Sequence, residues 1–168
     1  MNMKNLLARG TVVLVNATKK LQGLQVRLTA GELKDGAEHF EPYGFTSNPL
    51  PGAEVLAAFI GGDRSHAVVL VAADRRYRIQ AMASGEVAIY TDEGDHIHFK
   101  RGRIIDIETQ TLNIKATTAV NIDSPVINQT GEIVSQGDQV AGGISQIHHV
   151  HGGVMAGSGQ SAAPVAGG

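Results

Sequence analysis

The sequence predicts an all-β chain in two parts: a small N-terminal barrel, then a repeat of one-faced strands that only identical copies of the chain can cover. Three observations carry this reading. Between residues 10 and 73, strand-length runs of apolar and β-branched residues alternate with turn chemistry. From Glu86 onward, apolar pairs at i and i+2 recur every ~7–10 residues with polar residues between them. Aromatic residues are only 4% of the 168, with no Trp and 21 Gly, which suits narrow strand packing better than a wide globular core.

In the first part the strand candidates are residues 11–15, 24–29, a segment near 39–46, 54–60 and 67–72. Between them lie Lys19-Lys20, Asp35-Gly36, Asn48-Pro49-Leu50-Pro51-Gly52 and Gly61-Gly62-Asp63, all turn-forming. Five strands in about 65 residues suit a closed OB-like barrel, assigned to residues 1–76. Such barrels often hold oligonucleotides, but a net charge of −2 leaves no electrostatic footprint for nucleic acid, and few rings remain for base stacking. The barrel therefore reads as a module that docks to another protein. No apolar run approaches the ~20 residues of a membrane-spanning helix; the best, 55–60 and 67–73, are strand-length. At the N-terminus Lys4 precedes Leu6-Leu7 and residues 12–15, but Arg9 and Gly10 interrupt the run, so no secretory leader is expected. Without Cys there is no disulfide framework.

Asp74-Arg75-Arg76-Tyr77-Arg78 marks the change of architecture and reads as a solvated junction, with a salt-sensitive docking contact as the alternative. Beyond it the pairs are Val87/Ile89, Ile97/Phe99, Ile105/Ile107, Leu112/Ile114 and Val120/Ile122. Leu112-Asn113-Ile114-Lys115 matches Val120-Asn121-Ile122-Asp123 eight residues later. Each short strand has one apolar face, and no helix is available to cover it. The ~55 residues from Glu86 to Val140 are few for a solitary solenoid. An intertwined homotrimer resolves this: three apolar faces turn onto one axis, and each strand pairs with its neighbour's edge. Residues 77–143 are thus expected to form a triple-stranded β-helix shaft.

Residues 144–168 form the end of the chain, with Ile147-His148-His149-Val150-His151-Gly152-Gly153-Val154 as its chemically distinctive stretch. In an extended strand Ile147, His149 and His151 share one face, and His148 and Val150 share the other. Ile147 facing an apolar core would turn His149 and His151 inward. Two imidazoles do not close a metal shell, there is no Cys, and the nearby carboxylates are only Glu132 and Asp138. Three copies meeting on a threefold axis would bring six imidazoles, an octahedral set. A solvated His-rich tail is the competing reading of the same residues. The second His-x-His, in His96-Ile97-His98-Phe99, is set aside by parity, because Ile97 and Phe99 take the apolar face and leave His96 and His98 outside. Residues 152–168 are mostly Gly, Ala and Ser, which is a flexible tail by composition or a narrow cap if the preceding residues meet on an axis.

Tyr43-Gly44-Phe45-Thr46-Ser47, Pro51-Gly52-Ala53-Glu54-Val55, Gly61-Gly62-Asp63-Arg64-Ser65-His66 and His149-Val150-His151-Gly152-Gly153-Val154 together resemble the central spike of contractile-tail bacteriophages. These are the baseplate puncturing proteins of Mu-like and P2-like phages, related to the spikes of R-type bacteriocins. The resemblance implies an OB-fold collar joined to the tail hub, a triple-stranded β-helix shaft, and an apex where paired histidines of three chains bind iron. Carried over, the ligands are His149 and His151, with one iron per trimer. His148 stands where a Thr is often seen in the family. Octahedral nitrogen sites also accept Ni(II) and Co(II), so only the resemblance selects iron. It further implies synthesis in a host cytoplasm, a place in the virion at the tip of the tail baseplate, and transient contact with a Gram-negative outer membrane.

The function expected is structural: a spike that breaches the outer membrane mechanically, the work coming from the contracting sheath. Enzymatic use of the histidines is not expected, since a catalytic metal needs an open position and a nearby base, whereas six imidazoles leave no position open. The alternative is a carbohydrate-binding tail tip or adhesin. Such sites usually stack sugars on exposed rings, and no aromatic residue follows Phe99.

Overall fold

A computed structural model describes residues 6–153 and 157. The start of the N-terminal stretch weighed as a leader, and the Ala-Gly-rich tail beyond Gly153 apart from Gly157, lie outside the described residues. The chain divides into two compact units, Met1–Ile114 and Lys115–Gly168.

The first unit opens with the barrel. Its strands are β1 (Leu7–Asn16), β2 (Gly23–Leu28), β3 (Leu33–His39), β4 (Glu54–Phe59) and β5 (Ala67–Ala73), closed in the order β1-β2-β3-β5-β4. Closure depends on β1 serving two partners, with Leu7 to Thr11 pairing with β4 and Gly10 to Asn16 pairing with β2. The strand bends between them at a bulge beside Val13, which steepens the local twist as a small barrel requires. Gly10 sits where both pairings overlap. A Cβ there would come within 2.5 Å of the Arg27 carbonyl oxygen, so the close approach of β1 to β2 needs glycine. The parallel pairs Glu38↔Val68 and His39↔Val69 complete the closure.

Period-2 alternation turns Val12, Leu24, Val26, Leu28, Val55, Ala57, Phe59 and Val69 inward, and all are buried. Side chains of the size of Phe59, Leu24, Val26 and Val69 each stabilise a fold by roughly 1.5–3 kcal/mol when removed from water. The barrel therefore has its own core within one chain.

One strand differs from expectation. The third lies at Leu33–His39, upstream of the segment near 39–46, and Asp35-Gly36 falls inside it. Those two residues form a bulge opposite Gln25, with Gly36 at φ 67°. A left-handed glycine can mark a turn or a bulge, and short-range chemistry alone does not separate them. Residues 40–53 are a loop instead. The carboxylate of Glu41 accepts hydrogen bonds from the Ser47 amide at 2.6 Å and the Thr46 hydroxyl at 3.0 Å, and the Gln22 side-chain amide donates to the Ser47 carbonyl at 3.0 Å. These local bonds, with Pro42, Pro49 and Pro51, hold the segment out of the ladder.

At the junction after β5, the basic run folds back on the barrel. Arg75 binds both carboxylate oxygens of Glu54, at 2.5 and 2.7 Å, and Arg76 donates to the Pro51 carbonyl at 3.0 Å while also pairing with Asp74. The guanidinium of Arg76 lies against Gly52, where a Cβ would meet it at 3.1 Å. The run thus fixes how the chain leaves the barrel.

An antiparallel three-stranded sheet follows, made of β6 (Val87–Tyr90), β7 (His96–Lys100) and β8 (Ile104–Glu108). Its register lines up Val87, Phe99 and Ile105 across the strands, and Ile89, Ile97 and Ile107 beside them. This is the single apolar face anticipated from the i, i+2 pairs. Within one chain it is uncovered, with Val87 60% and Ile105 58% exposed. Residues 109–139 carry no strand among the described residues, and Leu112, Ile114, Val120 and Ile122 are exposed. A strand needs an edge to pair with, and among the described residues this segment pairs with none.

The second unit contains a short hairpin of β9 (Val140–Ala141) and β10 (Ile144–Ser145). Gly142 and Gly143 form its two-residue loop, both at positive φ (57° and 83°), which is the type I′ geometry that matches strand twist. Among the described residues no helix is long and apolar enough to cross a membrane.

Candidate metal centre

The hairpin of β9 and β10 stands immediately before the histidines and sets their backbone. The amide of Gln146 donates to the Gln139 carbonyl at 2.9 Å, extending the hairpin by one rung. The chain then turns through residues 146–148, so the stretch expected as an extended strand is a turn followed by non-repetitive backbone. Asp138 accepts the Ile147 amide at 3.1 Å, and the Ser145 hydroxyl oxygen accepts the His148 amide at 2.8 Å. By residue type alone Asp138 is only a possible ligand. Its observed role, closing a turn with backbone amides, is one that short acidic residues before a Gly-Gly hairpin commonly fill.

His149 and His151 come together. Their ring centroids are 5.2 Å apart at an interplanar angle of 83°. The Nδ1 of His149 lies 3.0 Å from the Ser145 carbonyl and 3.1 Å from that of Gln146. Both partners are pure acceptors, so Nδ1 carries the proton and the lone pair is on Nε2, where a metal would bind. Ile147 is 61% exposed and does not enter a core within one chain. His148 is exposed, and its contact in this turn is the backbone bond to Ser145.

Among the described residues no three His, Cys, Asp or Glu side chains of one chain gather where they would hold a metal ion. Two imidazoles, one with its ring oriented by backbone carbonyls, are half of a four-coordinate shell or a third of an octahedral one. The donor set fits a metal shared between copies and does not fit one held by a single chain.

His96 and His98 share the face opposite Ile97 and Phe99, as parity requires, but His98 is not outside: it is 9% exposed. Its Nε2–H donates to Glu86 at 3.2 Å, and the same carboxylate accepts the amides of Arg101 and Ala83, each at 3.0 Å. Those amides, with His98, hold the Glu86 carboxyl below its ordinary range. Glu86 thus ties the start of β6 to the β7–β8 turn. His96 donates from Nδ1 to the Gly94 carbonyl at 3.1 Å. This pair is structural. Periodicity identified its face, but the burial of His98 depends on Glu86, twelve residues earlier, and no local pattern announces that contact.

Comparison with known proteins adds four findings. A family described as bacteriophage Mu Gp45, N-terminal, matches residues 9–76. A second, described as the GpV Apex motif, matches residues 143–165 and so covers β10 and both histidines. The chain is 39% identical over 132 residues to the "Baseplate puncturing device gp45" of Escherichia phage Mu, covering 78% of this chain and 66%, just under two thirds, of that relative. It is 34% identical over 158 residues to the "Mu-like prophage FluMu protein gp45" of Haemophilus influenzae, covering 87% of this chain and 86% of that relative.

Proposed function

Since the chain belongs to the bacteriophage Mu Gp45 family, we propose that it is the spike at the centre of a contractile-tail baseplate, a structural protein that breaches the host outer membrane mechanically. The similarity to a relative named a baseplate puncturing device, together with an apex motif at the C-terminal end, carries this reading. It places the chain in the virion, at the tip of the tail.

Three copies make the working object. Residues 1–76 form the collar that joins the tail hub, residues 77–143 intertwine as a triple-stranded β-helix, and residues 144–168 close the apex. The uncovered apolar face of β6, β7 and β8, and the exposed Leu112, Ile114, Val120 and Ile122 after it, support trimerisation, because isolated faces of this size remain in water otherwise. A trimer also supplies the missing edges for residues 109–139. The chain then needs no catalytic group, since its task is to stay stiff and sharp under load.

At the apex His149 and His151 of each copy hold one metal, which the resemblance identifies as iron. When bound, the metal ties three chain ends together at the point of greatest load. The residues of this chain supply neutral imidazoles and hold the first of them in one tautomer. Structural metal sites contribute an apparent ~10–16 kcal/mol at neutral pH in small zinc domains, and a fraction of that suppresses fraying of three termini.

The test uses tail particles and tip variants together. His149→Ala or His151→Ala is expected to abolish metal binding and lower penetration with host adsorption intact, while His148→Ala keeps the metal. Antibodies against the barrel are expected to decorate the baseplate centre. Decoration of fibres or sheath instead, or full penetration without any spike, contradicts the proposal.

A further inference from the structure

We propose that Asp138 and Ser145 are positioning residues for the metal-binding tip, forming a hydrogen-bonded staple that presents His149 with its Nε2 lone pair outward before any metal arrives. This rests on the reading of His149 and His151 as ligands. Neither staple residue is in the His-x-His stretch, and Asp138 lies outside the matched apex motif, residues 143–165.

The turn between β10 and His149 leaves three successive amides, those of Gln146, Ile147 and His148, in need of acceptors. The first goes to the Gln139 carbonyl at 2.9 Å, the second to Asp138 Oδ1 at 3.1 Å and the third to Ser145 Oγ at 2.8 Å. The Asp138 carboxyl is held below its ordinary range, with the Ser145 side chain as the first cause and the Ile147 amide adding to it. Asp138 and Ser145 therefore close the turn at two points, one amide each. What the closed turn delivers is the Ser145 carbonyl, 3.0 Å from His149 Nδ1, and the Gln146 carbonyl, 3.1 Å from it. Carbonyls in those places fix both the ring orientation and the tautomer, which is how outer-shell partners serve ligating histidines. Without the staple the turn's amides find water, the carbonyls swing, and the imidazole must be ordered at the expense of metal affinity.

Glu132, the other carboxylate weighed for the tip, has no such bonds among the described residues. Gly142 and Gly143 complete the device, because their left-handed conformations keep the hairpin tight enough for Asp138 to reach Ile147.

The experiment titrates Fe(II) into metal-free, full-length protein under anaerobic conditions, alongside amide hydrogen exchange at Ile147 and His148. Asp138→Ala is expected to weaken Fe(II) binding about 10–100-fold, the usual loss on removing an outer-shell partner. The two amides should exchange faster in the metal-free state, with the oligomer mass unchanged. Asp138→Asn retains an acceptor oxygen and should recover most of the affinity and protection. If Asp138→Ala does not assemble, Ser145→Ala, which deletes only a hydroxyl, is expected to weaken Fe(II) binding and expose the His148 amide. Wild-type affinity and protection in the assembled Asp138→Ala protein, or in Ser145→Ala should Asp138→Ala not assemble, overturn the inference. His149→Ala separates the two claims. If that variant still binds Fe(II), the ligand reading itself fails; if it does not, while the staple variants bind normally, only the positioning role fails.

Discussion

The barrel and the sheet that follows it use the same alternating code and reach opposite outcomes. In the barrel, the inward residues of five strands meet one another, so Leu24, Val26 and Val69 are fully buried in a single chain. In the sheet of β6, β7 and β8 the apolar residues align equally well, yet Ile89, Phe99 and Ile107 stay in water. The difference is closure. Five strands with a bulged, shared β1 curl into a tube, whereas three short strands remain an open sheet with one face exposed within a single chain. An alternating pattern therefore dictates that a face must be buried, while strand number and connection decide whether the same chain can do it.

The largest effect should come from charging the uncovered side. Ile114→Asp would bring three carboxylates together in a trimer axis, and each uncompensated buried charge costs several kcal/mol. Assembly is expected to be lost entirely, with the barrel still folded. Sedimentation and a barrel-specific unfolding transition distinguish the two regions, and a trimeric Ile114→Asp protein would break the comparison from the shaft side.

Phe59→Ala probes the other region. Phe59 is 1% exposed within the barrel core. Its truncation should destabilise the barrel by about 3–5 kcal/mol. A fragment from residue 77 onward lacks Phe59, and the full-length variant should assemble with the same number of chains as that fragment. If Phe59→Ala dissociates the full-length assembly, the barrel is part of the clamp and the two regions are not independent.

A smaller effect sharpens the boundary between them. Glu86 has its carboxyl lowered by the amides of Arg101 and Ala83 and by His98, from an ordinary value of 4.5. A depressed folded value means its stabilisation is complete above the unfolded value and is lost as pH falls through the lower folded one. On acidification below the ordinary carboxyl value of 4.5, the amides of Ala83 and Arg101 should lose protection in the wild type. Glu86→Gln should show a weaker pH dependence over that window. An unchanged acid profile in the variant would show that Glu86 does not set the start of the sheet.

Legibility in the sequence follows the same division. The barrel strands other than the third were readable because apolar alternation and Gly-Pro turn chemistry agree there. The third was displaced because Gly36 signals a bulge and a turn alike. The apolar face of the sheet was readable from i, i+2 pairs alone. At the tip, the choice of His149 and His151 came from strand parity, yet the structure reaches their adjacency through a turn that hydrogen bonds from Asp138 and Ser145 define. Such bonds join residues three and nine positions apart through backbone amides, which periodicity does not register. The clamp of Arg75 on Glu54 was hidden for the same reason, since it links residues 21 positions apart and a basic run looks solvated by composition.

Native mass spectrometry of the purified full-length chain tests the central claim most directly, because it counts chains and metal ions in one particle. Three chains with a single metal ion are the expected result, and in His149→Ala three chains with none. A folded single chain, or one ion for each chain, would contradict the account.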